Sequence, residues 1–213
     1  MKKILLFLTL TLSGLALGHQ LQAQSPTVPQ GTASPKTSLA IGSAMPLADK
    51  ALHDVVTGRQ ISPNKLKQSA GTLVIFSCNT CPYVVKAQPR TREVLKLAEQ
   101  LKIGVVILNS NEAQRNDADS EDAMKAYARQ HGYAHYLVDL GDLADAFGAT
   151  RTPEVFLFNA ENQLVYKGAM DDNPANPEEV KQLYLANAMN AMVSKQTIDP
   201  TSSRSVGCSI KRK

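Results

Sequence analysis

Leu73-Val74-Ile75-Phe76-Ser77-Cys78-Asn79-Thr80-Cys81 decides how this chain is read. Leu73 to Ser77 is a continuous apolar run of strand length, suited to a central strand buried on both faces. It ends in C-x-x-C. From Pro82 to about Lys102 the pattern turns helical, with Val94, Leu97, Ala98 and Leu101 on one face and Pro89 placed to kink it. This order predicts Cys78 at a helix N-terminus and Cys81 a turn inside. Unpaired N–H groups and the helix dipole there favour a thiolate on Cys78. Cys81 is then close enough to resolve a mixed disulfide.

The neighbouring segments extend the pattern. Ile103 to Asn109 is a second buried strand, so strand, helix and strand make a right-handed parallel crossover. Ser110 to Asp119 is a polar loop. Ser120 caps a helix with Met124, Tyr127, Ala128 and His131 on its face, stopped by Gly132. Tyr136 to Asp139 is a short strand and Leu143 to Phe147 a short helix. Glu154 to Asn159 and Leu164 to Lys167 form a hairpin. A last helix is predicted from the cap Asn176, Pro177 and the capping-box Glu179, with Val180, Leu183, Tyr184, Ala188, Ala191 and Met192 facing inward. Upstream, His53 to Ile61 with Thr57-Gly58 reads as a further hairpin. The expected fold class is α/β, with a mixed central β-sheet flanked by helices and an N-terminal β-hairpin extension, spanning residues 41–193. Residues 194–213, which carry Cys208, are polar and read as a loosely held tail.

The N-terminus reads as an export signal. Lys2 and Lys3 precede the apolar run Ile4 to Leu17, and Ala23 is a plausible cleavage position. The run is shorter than the roughly 20 residues of a membrane span. Residues 1–23 are therefore the expected signal peptide, 24–40 a flexible leader rich in Ser, Thr, Pro, Gln and Gly, and the destination periplasmic or otherwise extracytoplasmic. The formal charge of +4 falls by two lysines to +2 without the signal, too little to argue for a nucleic-acid partner. Three cysteines do not make a disulfide scaffold in a chain of this size.

Four stretches carry a resemblance: Gly42-x-x-Met45-Pro46 with Asp54 to Gly58, Phe76 to Val84, Gly148 to Phe158, and Tyr166 to Asp172 with the late Gly207-Cys208-Ser209-Ile210-Lys211. Together they resemble the thioredoxin-like superfamily, in the branch of AhpC/TSA-type redoxins, and within it a peroxiredoxin-like group with a C-N-x-C-P motif. The resemblance implies that Thr152-Pro153 is a cis bond facing the C-x-x-C. Thr152 would then offer its backbone to a substrate peptide by strand addition; from the residues alone Pro153 is equally a loop proline. The resemblance also leaves room for an insertion at 110–134 larger than minimal thioredoxins hold. Two family features are missing. The peroxidase pattern Pro-x-x-x-Thr-x-x-Cys finds Gly71 and Ile75 before Cys78, and Val74 and Cys78 before Cys81. The acid that many thioredoxins bury six residues before the first cysteine is Thr72 here, so a different proton acceptor, or water, is needed.

These readings converge on an exported thiol–disulfide oxidoreductase without a bound cofactor. It would work on a protein or small-molecule disulfide or thiol, with a redox partner to recharge Cys78 and Cys81. Arg151 beside the thiols would favour a thiolate, and Asn79 and Thr80 between them would tune the potential while starting the helix. Two other classes stay open: a thiol peroxidase of unusual design, and a copper- or protein-binding module using the two cysteines with His53, His131 or His135. Asp171-Asp172 reads as a loop. Cys208 reads either as a small packing residue or as an auxiliary thiol able to bridge to Cys78, Cys81 or another chain.

Overall fold

The computed structural model describes residues 37–213. The expected signal peptide and most of the expected leader lie outside the described residues. Among the described residues no helix is long and apolar enough to cross a membrane.

The hairpin comes first, as β1 (Leu52–Asp54) and β2 (Arg59–Ile61). Gly58 supplies the positive φ of its turn, and the buried Asp54 accepts the Val56 N–H and the Thr57 hydroxyl. A short helix α1 (Pro63–Leu66) leads to β3 (Gly71–Ser77), then α2 (Pro82–Gln100) and β4 (Ile103–Asn109). Then come α3 (Glu121–His131), within the insertion, β5 (Leu137–Val138), α4 (Asp142–Phe147), β6 (Arg151–Thr152), β7 (Glu154–Asn159) and β8 (Leu164–Gly168). The chain ends in α5 (Tyr184–Val193) and β9 (Cys208–Ser209).

Seven strands form one mixed sheet in the order β2-β1-β5-β4-β3-β7-β8. β3, β4 and β5 run parallel, while β7 runs antiparallel to β3. The period of two along the strands divides the core. Leu73, Ile75, Val155 and Leu157 face a cluster made with α2, α3 and α5. Val74, Phe76, Phe156 and Phe158 face a second cluster made with α4. Every residue of β3 is buried because both faces are covered.

Three expectations change. Asn176, Pro177 and Glu179 start only a single 3-10 turn, and the regular helix begins at Tyr184. Asn176 does cap that turn, but residues 171–176 are held instead by Arg90 of α2. Its guanidinium pairs with the buried Asp171 at 2.9 Å and donates to the carbonyls of Asn173 and Pro174. The leader is ordered earlier than expected, since the Leu39 N–H donates to the Phe147 carbonyl and Lys167 Nζ donates to Ser38 and Leu39. The tail is not loose. Ser203 bonds Tyr166 and Ala169, Ile210 is buried in the second core cluster, and Arg212 donates to Gly141 and Ala149. Its polar composition hid an anchoring by side chains as well as backbone.

Candidate active site

The β3–β7 register builds the site. Phe76 lies opposite Glu154 in an antiparallel pair, and continuing that register by two residues places Thr152 opposite Cys78. Thr152-Pro153 is a cis bond. Glu154 shapes the approach by accepting the backbone N–H groups of Thr150 and Arg151. Thr152 then presents both its oxygens to the C-x-x-C. Its Oγ1 lies 3.3 Å from Cys78 Sγ, and its carbonyl accepts from Cys81 Sγ at 3.3 Å.

All three cysteines are unbridged thiols. Cys78 and Cys81 are 2 % and 4 % exposed, and the half-buried Cys208 packs against them with Val84, Tyr83 and Tyr127. The helix begins where the pattern turns helical, but no cysteine lies inside it. α2 starts at Pro82, whose missing N–H is tolerated at a first helical position, and Cys81 is the N-cap. Cys78 lies ahead of the helix.

The charge follows this placement. The two thiols are close enough for their ionisations to be coupled, so the first proton leaves more easily than the second. The Cys81 thiol is pushed down, chiefly by the hydrogen bond from Cys78, against the cost of burial, with help from Cys208 and from the Val84 and Cys208 N–H groups. Cys78 is pushed up by its bond to Cys81, by burial and by the charge of Asp119; only the Thr152 hydroxyl and the Cys81 backbone work the other way. These directions run opposite to the expectation that Cys78 ionises first.

Asp119 is the residue sequence reasoning missed. It lies within the 110–134 insertion, between a 3-10 turn at Glu112–Gln114 and α3. Fully buried, it accepts from the Asn79 backbone N–H at 2.9 Å, from Asn109 Nδ2 at 2.8 Å and from Asn111 Nδ2 at 2.8 Å. The Tyr136 hydroxyl donates to Asn79 Oδ1 at 3.1 Å, and Asn79 Nδ2 donates to the Ala118 carbonyl. The segment between the thiols is thus fixed from three directions. The carboxylate whose charge reaches Cys78 comes from this insertion, in place of the acid absent at Thr72. No motif marks Asp119; the signal was a polar loop with two asparagines at the end of a buried strand.

The remaining candidates separate. Asn79 belongs to the site, while Thr80 is exposed. Arg151 is exposed and its Nη1 donates to the Gly207 carbonyl at 3.0 Å, so its guanidinium is engaged with the tail, not with the thiols. His53 faces Glu121, His135 faces Asp54, and His131 lies against Tyr127. Among the described residues no group of three or more His, Cys, Asp or Glu is arranged to hold a metal ion.

A C-x-x-C after a buried strand, opposite a cis-proline in a mixed sheet, defines a thioredoxin-like redox protein. The chain belongs to the Redoxin family, whose model matches residues 31–184. No curated protein sequence matches it. Among solved structures it is similar to an uncharacterised conserved protein of Geobacillus kaustophilus, at 30% identity and TM-score 0.75, covering 82% of this chain and 93% of that one. A hypothetical protein of Sinorhizobium meliloti 1021 has 32% identity and TM-score 0.74, covering 83% and 97%. The thioredoxin domain of a Bacteroides vulgatus thiol-disulfide oxidoreductase shares the fold at 21% identity and TM-score 0.51, covering 62% and 90%.

Proposed function

We propose that this chain is an extracytoplasmic thiol–disulfide oxidoreductase whose redox pair is Cys78 and Cys81. The observation that carries the reading is Thr152, held before cis-Pro153 with one oxygen on each sulfur. One thiol of the pair, as its thiolate, attacks one sulfur of a substrate disulfide and releases the other as a thiolate. The partner cysteine, losing its proton, then displaces the first substrate sulfur. The substrate leaves as a dithiol and the chain holds a Cys78–Cys81 disulfide. The reverse sequence oxidises a dithiol. Ile75 and Gly71, where a peroxidase site has Thr and Pro, favour exchange over peroxide reduction. Export rests on the pattern of Lys2, Lys3 and the apolar run to Leu17.

Equilibration of the reduced protein against graded dithiothreitol or glutathione buffers tests this reading. A single two-electron transition that is lost in both Cys78→Ser and Cys81→Ser is expected. A pair that stays dithiol across the whole ladder would overturn it.

A further inference from the structure

The C-terminal strand occupies the place where a substrate peptide would lie. β9 pairs antiparallel with β6, Arg151 opposite Ser209 and Thr152 opposite Cys208. The Ile210 N–H continues the ladder to the Thr150 carbonyl at 3.0 Å. The approach is as close as backbone allows: a Cβ on Gly207 would stand 2.1 Å from the Thr152 carbonyl oxygen. Beyond the strand, Ile210 is buried, the Lys211 N–H donates to Asn111 Oδ1 at 2.9 Å, and the Ala113 N–H donates to the Lys211 carbonyl. This placement brings a third sulfur to the pair, packed against Cys78 and Cys81. Cys78 and Cys81 are almost fully covered, and Cys208 is the more open of the three.

We propose that Cys208 is the third thiol of the redox centre, exchanging with Cys81 and carrying oxidising or reducing equivalents out to the partner. The inference rests on the Cys78–Cys81 pair being redox-active. In the oxidised chain the Cys208 thiolate attacks Sγ of Cys81. The Cys81–Cys208 bond forms as the Cys78–Cys81 bond breaks, and Cys78 leaves as a thiolate that takes up the proton Cys208 gave up. No electrons enter or leave in this step. A partner dithiol then attacks the Cys208 sulfur, is oxidised to its disulfide, and leaves the chain with three thiols. In the reduced chain Cys208 is kept protonated by burial and by the Cys81 anion beside it, while Lys211 pulls the other way. Oxidation removes the Cys81 charge, leaving burial and Lys211 as opposing influences.

Peptide mapping tests this on the full chain. Wild type and Cys208→Ser are equilibrated in graded glutathione buffers, quenched in acid, alkylated and digested. Wild type is expected to yield a Cys81–Cys208 bridge with alkylated Cys78, alongside the Cys78–Cys81 bridge; Cys208→Ser retains only the latter. Wild type showing only Cys78–Cys81, with Cys208 alkylated at every poise, overturns the relay while leaving the pair intact. A Cys208→Ser protein with no Cys78–Cys81 bridge at any poise instead overturns the pair, and the relay with it.

Discussion

The backbone N–H of Asn79 is held 2.9 Å from Asp119 Oδ1, so the turn between the two thiols is pinned by a carboxylate forty residues along the chain. Asp119 also raises Cys78. Asp119→Asn keeps the shape but replaces one acceptor oxygen with an NH₂ group facing other donors. A loss of roughly 1–3 kcal/mol is expected, read as a fall in the urea midpoint. With the opposing charge gone, the second thiol ionisation is expected to move to lower pH.

The thiol pair is expected to titrate in two well-separated steps. Thiolate absorbance near 240 nm should show one sulfur ionised well below the ordinary cysteine value of about 8.5 and the second well above it. Brief iodoacetamide treatment of Cys208→Ser at neutral pH is expected to label Cys81 ahead of Cys78. Labelling in the opposite order would show that the charge moves to Cys78 once the site opens.

Thr152→Val preserves the branched shape and removes Oγ1. Cys78 then loses the hydroxyl that holds its thiol down. The second ionisation step is expected to rise further and disulfide exchange to slow, with far-ultraviolet dichroism unchanged. The stability cost is expected to be about 1 kcal/mol.

Asp54 gives the fold an acid-side limit. Burial alone would raise its carboxyl, but bonds from Thr57, His135 and the Tyr136 and Val56 N–H groups outweigh burial and lower it. A folded-state pKa below the unfolded value means that its stabilisation is complete above about 4. It is lost as pH falls through the folded value. Asp54→Asn is expected to unfold at lower urea than wild type at neutral pH, with the difference shrinking below about pH 4.

Gly207→Ala places a methyl group against the Thr152 carbonyl. The strand must lift, so dithionitrobenzoate is expected to modify Cys208 faster, and the amides of Ser209 and Ile210 to exchange faster with solvent.

Much of this architecture was legible because hydrophobic period and caps agree locally. Ile103–Asn109 falls where its apolar run does, and Ser120 and Gly132 bracket α3 as caps should. What escaped depends on contacts far apart in sequence. Asn176-Pro177 carries a good helix-start signal, yet the turn it starts stops at Glu179, and Arg90 holds the preceding loop from α2. The tail's composition gave no sign that an exposed strand edge at Arg151-Thr152 would capture it. Cys81 is the N-cap because α2 starts at Pro82, so the helix end meets the second cysteine and not the first.

The docked tail also makes this chain its own competitor. Any peptide that adds a strand along Arg151-Thr152 contends with residues 207–210, and dilution does not weaken that rival because it is tethered. Short tethers hold their ends at effective concentrations of about millimolar. The apparent affinity for an outside peptide is therefore the intrinsic one scaled by the fraction of molecules whose tail is lifted. Weak ligands will register as non-binders on the intact chain, and discrimination among partners becomes a matter of which can outbid Gly207-Cys208-Ser209-Ile210.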